Sequence, residues 1–183
     1  MAENGKPRFW LMLGMVAAAA VLRIVPHPPN FAPVAAMALF GGAYFDRKRW
    51  AFAVPLAAML LSDAALELLF GWGFHSGMPA VYGTFALVVC LGLLLRKRKT
   101  APLPVVGAAL ASSTLFYLTT NFSVWLTSGM YAATPAGLAA CYAAAIPFFG
   151  PTLAGDLFYT AVMFGALALA ERRFPVFATA PRA

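Results

Sequence analysis

Along the chain, long apolar runs are cut by short polar punctuation. Residues 9–25, 34–45, 50–70, 78–95 and 103–126 are dominated by aliphatic, aromatic and small side chains. They lack the two-residue alternation of a barrel strand, so they predict helices. The run 34–45 is short, and Gly41-Gly42 within it predicts a span that is tilted or broken there. A final apolar stretch, 136–170, is too long for one span and too short for two with a turn. Pro147 and Gly150-Pro151 divide it. This predicts a short helix at the outer surface over 136–146, then a sixth span over 151–170. The proline-rich residues 26–33 read as a rigid turn, and residues 71–77 as a glycine-rich loop. The expected fold is an all-α integral membrane protein: a six-transmembrane-helix bundle forming one domain over residues 1–183.

Composition points the same way. Of the residues, 62% are hydrophobic and 10% charged, whereas a soluble domain carries roughly a quarter charged residues. Such a chain cannot cover itself with polar side chains in water. In lipid its backbone groups must pair internally, in helices or a closed barrel, and the absent alternation leaves helices.

The net charge of +7 sets the orientation. Lys6 and Arg8, Arg47 to Arg49, Arg96 to Lys99, and Arg172 and Arg173 occupy every second connection between runs. By the positive-inside rule these are cytoplasmic, with both termini inside a bacterial cytoplasmic (inner) membrane. Clusters of this kind form no folded basic face, so nucleic acid is not an expected partner. The first run carries Arg23 and leads into Pro26-His27-Pro28-Pro29, not into a small-residue cleavage site, so it reads as a retained span. Cys90 and Cys141 lie in apolar runs without partners at metal-ligand spacing and read as small buried residues.

Polar residues inside the spans carry the functional signal. Glu3, Asp46 and Glu171 fall in cytoplasmic segments, but Asp63, Glu67 and Asp156 lie within apolar runs, where charge is costly and marks a site by default. At about 1.5 Å per residue, Asp63 stands about 20 Å from the cytoplasmic side, with Glu67 one turn further on the same face. Arg23, Tyr82, Asp156 and the i,i+4 pair Asn121 and Trp125 share this outer half. His27, Asn30 and His75 sit in the outer turns. Polar groups converging at one depth beside aromatic rings predict a ligand pocket opening outward. A channel would need polar lining through the full thickness.

Each of these residues also has a plain structural role open to it. Arg23 pairs with Asp63 or with Asp156; Glu67 reaches the interface; Trp72 and Trp125 form belt residues. His75 is solvated in its loop, Asn121 bridges helices, and Tyr82 packs. Gly14, Ala17 and Ala18 make a small-residue stripe, either for internal packing or as a docking face for another membrane protein. The sequence has no Walker P-loop, no HExxH or paired-cysteine motif and no GxSxG elbow. No metal, cofactor or catalysis is therefore expected. An intramembrane enzyme using Asp63 and Asp156, and a ligand-free assembly protein, are the alternatives from other classes.

The run 23–43, with Arg23, His27, Asn30 and Gly41-Gly42, resembles the signature of a family of small bacterial membrane proteins. Motifs at 61–63, 75–78, 120–125 and 155–159 extend the likeness over most of the chain. That family is similar to the substrate-binding S components of energy-coupling factor (ECF) transporters. The resemblance implies a compact six-helix, vitamin-binding fold with the substrate near the outer face, partly under the loops. It implies that Gly14, Ala17 and Ala18 face a transmembrane coupling subunit, with ATP hydrolysed in partner subunits. The expected function is uptake of a small vitamin-like molecule from outside. His27, Asn30, Asp63, His75, Tyr82, Asn121, Trp125, Asp156 and Tyr159 are the candidate substrate-binding residues. Asn30, Asp63, Asn121 and Asp156 would supply hydrogen bonds, and Tyr82, Trp125 and Tyr159 walls. A solitary corrinoid (cobalamin-type) importer is an alternative, with His27, Asp63 and Tyr82 where its site residues would stand; neither Cys90 nor Cys141 clearly matches its cobalt-ligating cysteine.

Overall fold

In the computed structural model, which describes residues 5–178, the apolar runs become six α-helices. These are α1 (Gly5–Leu22), α2 (Val34–Tyr44), α3 (Lys48–Phe70), α4 (Met78–Leu95), α5 (Pro102–Thr127) and α6 (Pro135–Arg173), followed by a short 3₁₀ turn, Pro175–Phe177. No strand occurs among the described residues; Glu3 lies outside them. Four helices, α3 to α6, are long and apolar enough to cross a membrane. Leu61, Leu68, Leu94 and Leu103 are 71–87% exposed, so the outside of the bundle is apolar.

The exception is α2. Its eleven residues span about 16 Å, half of a hydrocarbon core about 30 Å thick. It packs on all five other helices, and its residues from Ala35 to Tyr44 are buried. Glycine makes the closest of these approaches possible. A Cβ on Gly42 would stand 2.2 Å from the Val89 carbonyl oxygen, and one on Gly92 would stand 2.4 Å from that of Leu39. Of the tilt or break expected at Gly41-Gly42, the break does not occur: α2 is continuous there, and these glycines are contact points with α3 and α4.

A helix this short leaves its unpaired end groups inside the bundle, where they need partners. Pro33, at the N-cap, offers no side-chain bond. Instead the Asp156 carboxylate reaches across from α6 and accepts the Ala35 backbone N–H. At the other end Arg96, just past α4, donates to the carbonyls of Gly42 (3.0 Å), Asp46 (3.2 Å) and Phe45. A negative group at the N-terminus and a positive one at the C-terminus also match the helix dipole.

The surface helix and sixth span expected at the C-terminal end are one helix, α6, 39 residues long and running through Pro147 and Pro151. Each proline removes one helical bond, leaving the carbonyls of Ala143 and Pro147 without their donors. Bonds to α5 hold this stretch in place. The Tyr117 hydroxyl donates to the Tyr142 carbonyl (2.5 Å) and the Tyr142 hydroxyl to that of Leu118 (2.8 Å).

At the basic end, charges that read as loop charges are partly folded inward. Arg8, 4% exposed, pairs with Glu171 at 2.8 Å. The Lys99 ammonium lies 4.6 Å from the Tyr44 ring centre, and the Tyr44 hydroxyl donates to the Lys99 carbonyl (3.4 Å). Burial first, then the nearby Arg8 charge, holds the Lys99 ammonium below the ordinary lysine range. Cys141 is buried as expected, but Cys90 is exposed, because its position on α4 turns it away from the bundle.

Candidate functional site

The intramembrane charges fall into separate sets. Arg23 follows the end of α1, and its guanidinium binds Asp63 Oδ1 on α3 at 2.6 Å, the Met59 carbonyl at 3.3 Å and the Ser62 hydroxyl. The other Asp63 oxygen accepts the Tyr82 hydroxyl from α4 at 2.6 Å. Both side chains of the ion pair are nearly buried, Arg23 at 10% and Asp63 at 5% exposure. Arg23 therefore pairs with Asp63, and not with Asp156. The α3–α4 loop closes over this set. Phe74 donates its N–H to Glu67 Oε2 (3.0 Å), and Gly73 packs so close to α3 that a Cβ would stand 1.9 Å from the Asp63 carbonyl oxygen. His75 Nδ1 accepts the Gly77 N–H at 3.2 Å, at the start of α4.

Asp156 forms the second set. Its carboxylate accepts the Ser113 hydroxyl from α5 at 2.6 Å as well as the Ala35 N–H. One turn along α6, the buried Thr160 Oγ1 has no partner. Tyr159 packs on Phe31, with ring centres 5.5 Å apart.

The third set lines a pocket of about 220 Å³ between α5 and α6, beneath the α1–α2 turn. That turn is local chemistry. Phe31 donates its N–H to the Pro28 carbonyl (3.0 Å), and Asn30 has a φ of 63°. This is the pattern of a type II turn, with Pro29 and Asn30 at its two centres; asparagine tolerates the left-handed conformation. The turn seats on Gly155 of α6, where a Cβ would stand 3.1 Å from the Phe31 Cα. Asn30 is thereby brought to the pocket, where it meets Thr120 and Asn121 of α5 and Thr152 of α6. Phe116, Phe148 and Phe149 form aromatic walls.

The hydrogen bonds of these residues define what the pocket offers. Thr120 and Thr152 each donate their hydroxyl one turn back, to Phe116 (2.7 Å) and Phe148 (2.9 Å). Asn121 Nδ2 donates to the Tyr117 carbonyl at 2.8 Å. The threonine lone pairs and the Asn121 Oδ1 are then the acceptors that remain for a ligand. No Lys, Arg, Asp, Glu or His is among the lining residues.

Of the residues singled out from the sequence, Asn30 and Asn121 line this pocket. Asp63 and Tyr82 belong to the ion-pair set, and Asp156 caps α2. Trp125 clasps the α5–α6 loop, its Nε1 donating to the Ala132 carbonyl at 2.9 Å. His27 Nδ1 lies 2.7 Å from the Val25 carbonyl, within its own turn. Gly14, Ala17 and Ala18 are exposed along α1. Sequence reasoning passed over Thr120, Thr152 and the phenylalanines. The adjacent polar pair Thr120-Asn121 within an apolar run was the available signal; isolated phenylalanines and a threonine behind Pro151 carried none. Among the described residues, no group of three or more His, Cys, Asp or Glu could hold a metal ion.

A family model described as a family of unknown function, DUF6580, matches residues 3–177. No curated protein and no solved structure matches the chain.

Proposed function

The chain belongs to the DUF6580 family, a family of unknown function, and we propose that it is a substrate-binding membrane protein for uptake of a small, neutral, vitamin-like molecule. The observation that carries this reading is the pocket that gathers Asn30, Thr120, Asn121 and Thr152 from three parts of the chain between aromatic walls. An uncharged lining favours an uncharged ligand, since an ion would lose its hydration without gaining a partner. Asparagine amides, threonine lone pairs and phenylalanine faces favour a ring compound bearing hydrogen-bonding groups. The volume of about 220 Å³ lies below the roughly 300–1,000 Å³ of sites for drug-sized ligands. It suits one or two rings and argues against a corrinoid.

On this reading the ligand enters beneath the α1–α2 turn, at the end of the bundle away from the basic clusters. It would then be passed on as in an S component, with the energy for release coming from partner subunits. The enzyme alternative is less well supported. Asp63 and Asp156 sit in separate hydrogen-bond sets, each already engaged by protein donors, so they form no paired acid and base.

The test is native mass spectrometry of the chain purified in mild detergent, followed by thermal-shift screening of vitamins. A bound neutral molecule is expected. Asn121→Leu and Thr152→Val should each weaken it by about 1–3 kcal/mol, through loss of an acceptor. Unchanged affinity in both variants would remove this pocket as the site. Turnover of the ligand would favour the enzyme.

A further inference from the structure

A second concavity lies on the other side of the bundle, between α1 and α3. It is a groove of about 470 Å³, lined by Ala17, Ala20 and Val21 on one wall and by Trp50, Ala57 and Leu61 among others on the opposite wall. Apart from Ser62 and the Trp50 indole its lining is aliphatic. From Trp50 to Leu61 it runs about 16 Å along α3, close to the depth of a single leaflet, half of a hydrocarbon core about 30 Å thick.

Its two ends differ in charge. Trp50 stands at the basic end, and the Arg49 guanidinium carbon lies 5.3 Å from the Trp50 ring centre. Lys48 and Arg49 are exposed beside it. Phe9 of α1 packs on Trp50 with ring centres 5.6 Å apart, which brings exposed Lys6, one turn earlier on α1, to the same level. Asp46 is exposed nearby, and the mouth is still net positive. Arg8 is turned inward to Glu171 and takes no part.

We infer that this groove holds one acyl chain of an anionic phospholipid, with its headgroup on Lys48 and Arg49. A slot one leaflet deep, apolar along its length and basic at one end, complements an amphiphile with a long tail and a negative head. A partner helix fits less well. Alanines line both walls, Ala17 and Ala20 on α1 and Ala53 and Ala57 on α3, but an apolar helix would leave the basic mouth at Lys48 and Arg49 without a counter-charge, which an anionic headgroup supplies. The inference does not depend on the ligand pocket, which lies between other helices.

The experiment is native mass spectrometry of the chain, stripped of lipid in detergent and then titrated with phosphatidylglycerol or phosphatidylcholine. One tightly retained phosphatidylglycerol is expected, with much weaker retention of phosphatidylcholine. Lys48→Gln and Arg49→Gln should each weaken phosphatidylglycerol about fivefold, one interfacial charge apiece. Ala57→Phe, at an exposed groove position, should abolish retention of both lipids at the site. Equal retention of the two lipids by the native chain would overturn the inference, as would native retention in the double charge variant. A protein dimer lost in Ala57→Phe, with lipid retention unchanged, would assign the groove to a second copy instead.

Discussion

Asp156 and Arg96 stand at opposite ends of the same buried helix, one holding the Ala35 N–H and the other the Gly42, Phe45 and Asp46 carbonyls. Neither belongs to α2. Both come from longer helices, so α2 is fastened into the bundle through its ends as well as its faces. A helix too short to span the bundle from end to end gains from α6 and α4 partners for its unpaired end groups.

Removing either cap should therefore loosen the core. Asp156→Ala leaves the Ser113 hydroxyl and the Ala35 N–H without their shared acceptor. About 1–3 kcal/mol is expected for each group left unpaired. Asp156→Asn keeps an acceptor and should cost less. Thermal unfolding in detergent measures this; an Asp156→Ala variant as stable as the parent would rule out the capping role.

The Arg23–Asp63 pair should show strong coupling. Asp63→Leu alone strands a nearly buried guanidinium and should cost about 3–5 kcal/mol. Arg23→Met combined with Asp63→Leu should recover most of that loss. The double-mutant cycle is the direct measure, and additive effects would mean that the pair contributes nothing as a pair.

The glycines separate into two groups that one substitution distinguishes. Gly42→Ala or Gly92→Ala drives a methyl group into the backbone of a neighbouring helix. Each should destabilise by about 1–3 kcal/mol or more. Gly107 on α5 has open space where its Cβ would lie. Gly107→Ala should be stabilising by about 0.5–1 kcal/mol, through helix propensity. Melting temperatures of the three variants would expose any reversal of this order.

Lys99 should contribute a rise of stability with pH just below the ordinary lysine value. The unfolded chain holds the Lys99 proton up to an ordinary value of 10.5, while burial makes the folded chain release it earlier. Between those two values the unfolded state binds more protons, so raising the pH favours folding. In Lys99→Met that contribution should vanish, which the difference between parent and variant unfolding curves below pH 10.5 would detect.

Much of the architecture was legible along the chain because the length and apolar character of a run are local properties. The apolar runs mark all six helices, the basic clusters mark one end of the bundle, and Pro29-Asn30 marks the turn that reaches the pocket. Two local cues misled. Gly41-Gly42 read as a break and Pro147 with Pro151 as a divide, yet packing by α4 and tyrosine bonds from α5 keep both helices whole. A cue of composition says which bond is weak, and neighbours from elsewhere in the chain determine whether it holds.

The order of residues already put charge inside apolar helices, where it needs partners. Which partners it finds depends on how the helices pack. Arg23 meets Asp63 across 40 residues and Arg8 meets Glu171 across 163, and helical periodicity carries no information over such separations. The pocket has the same origin. Asn30, Asn121 and Thr152 become neighbours because Gly155 lets the α1–α2 turn settle against α6. Asp63 and Asp156, the most conspicuous polar residues of the sequence, are drawn away to hold helices together, since a buried carboxylate binds the nearest protein donors first.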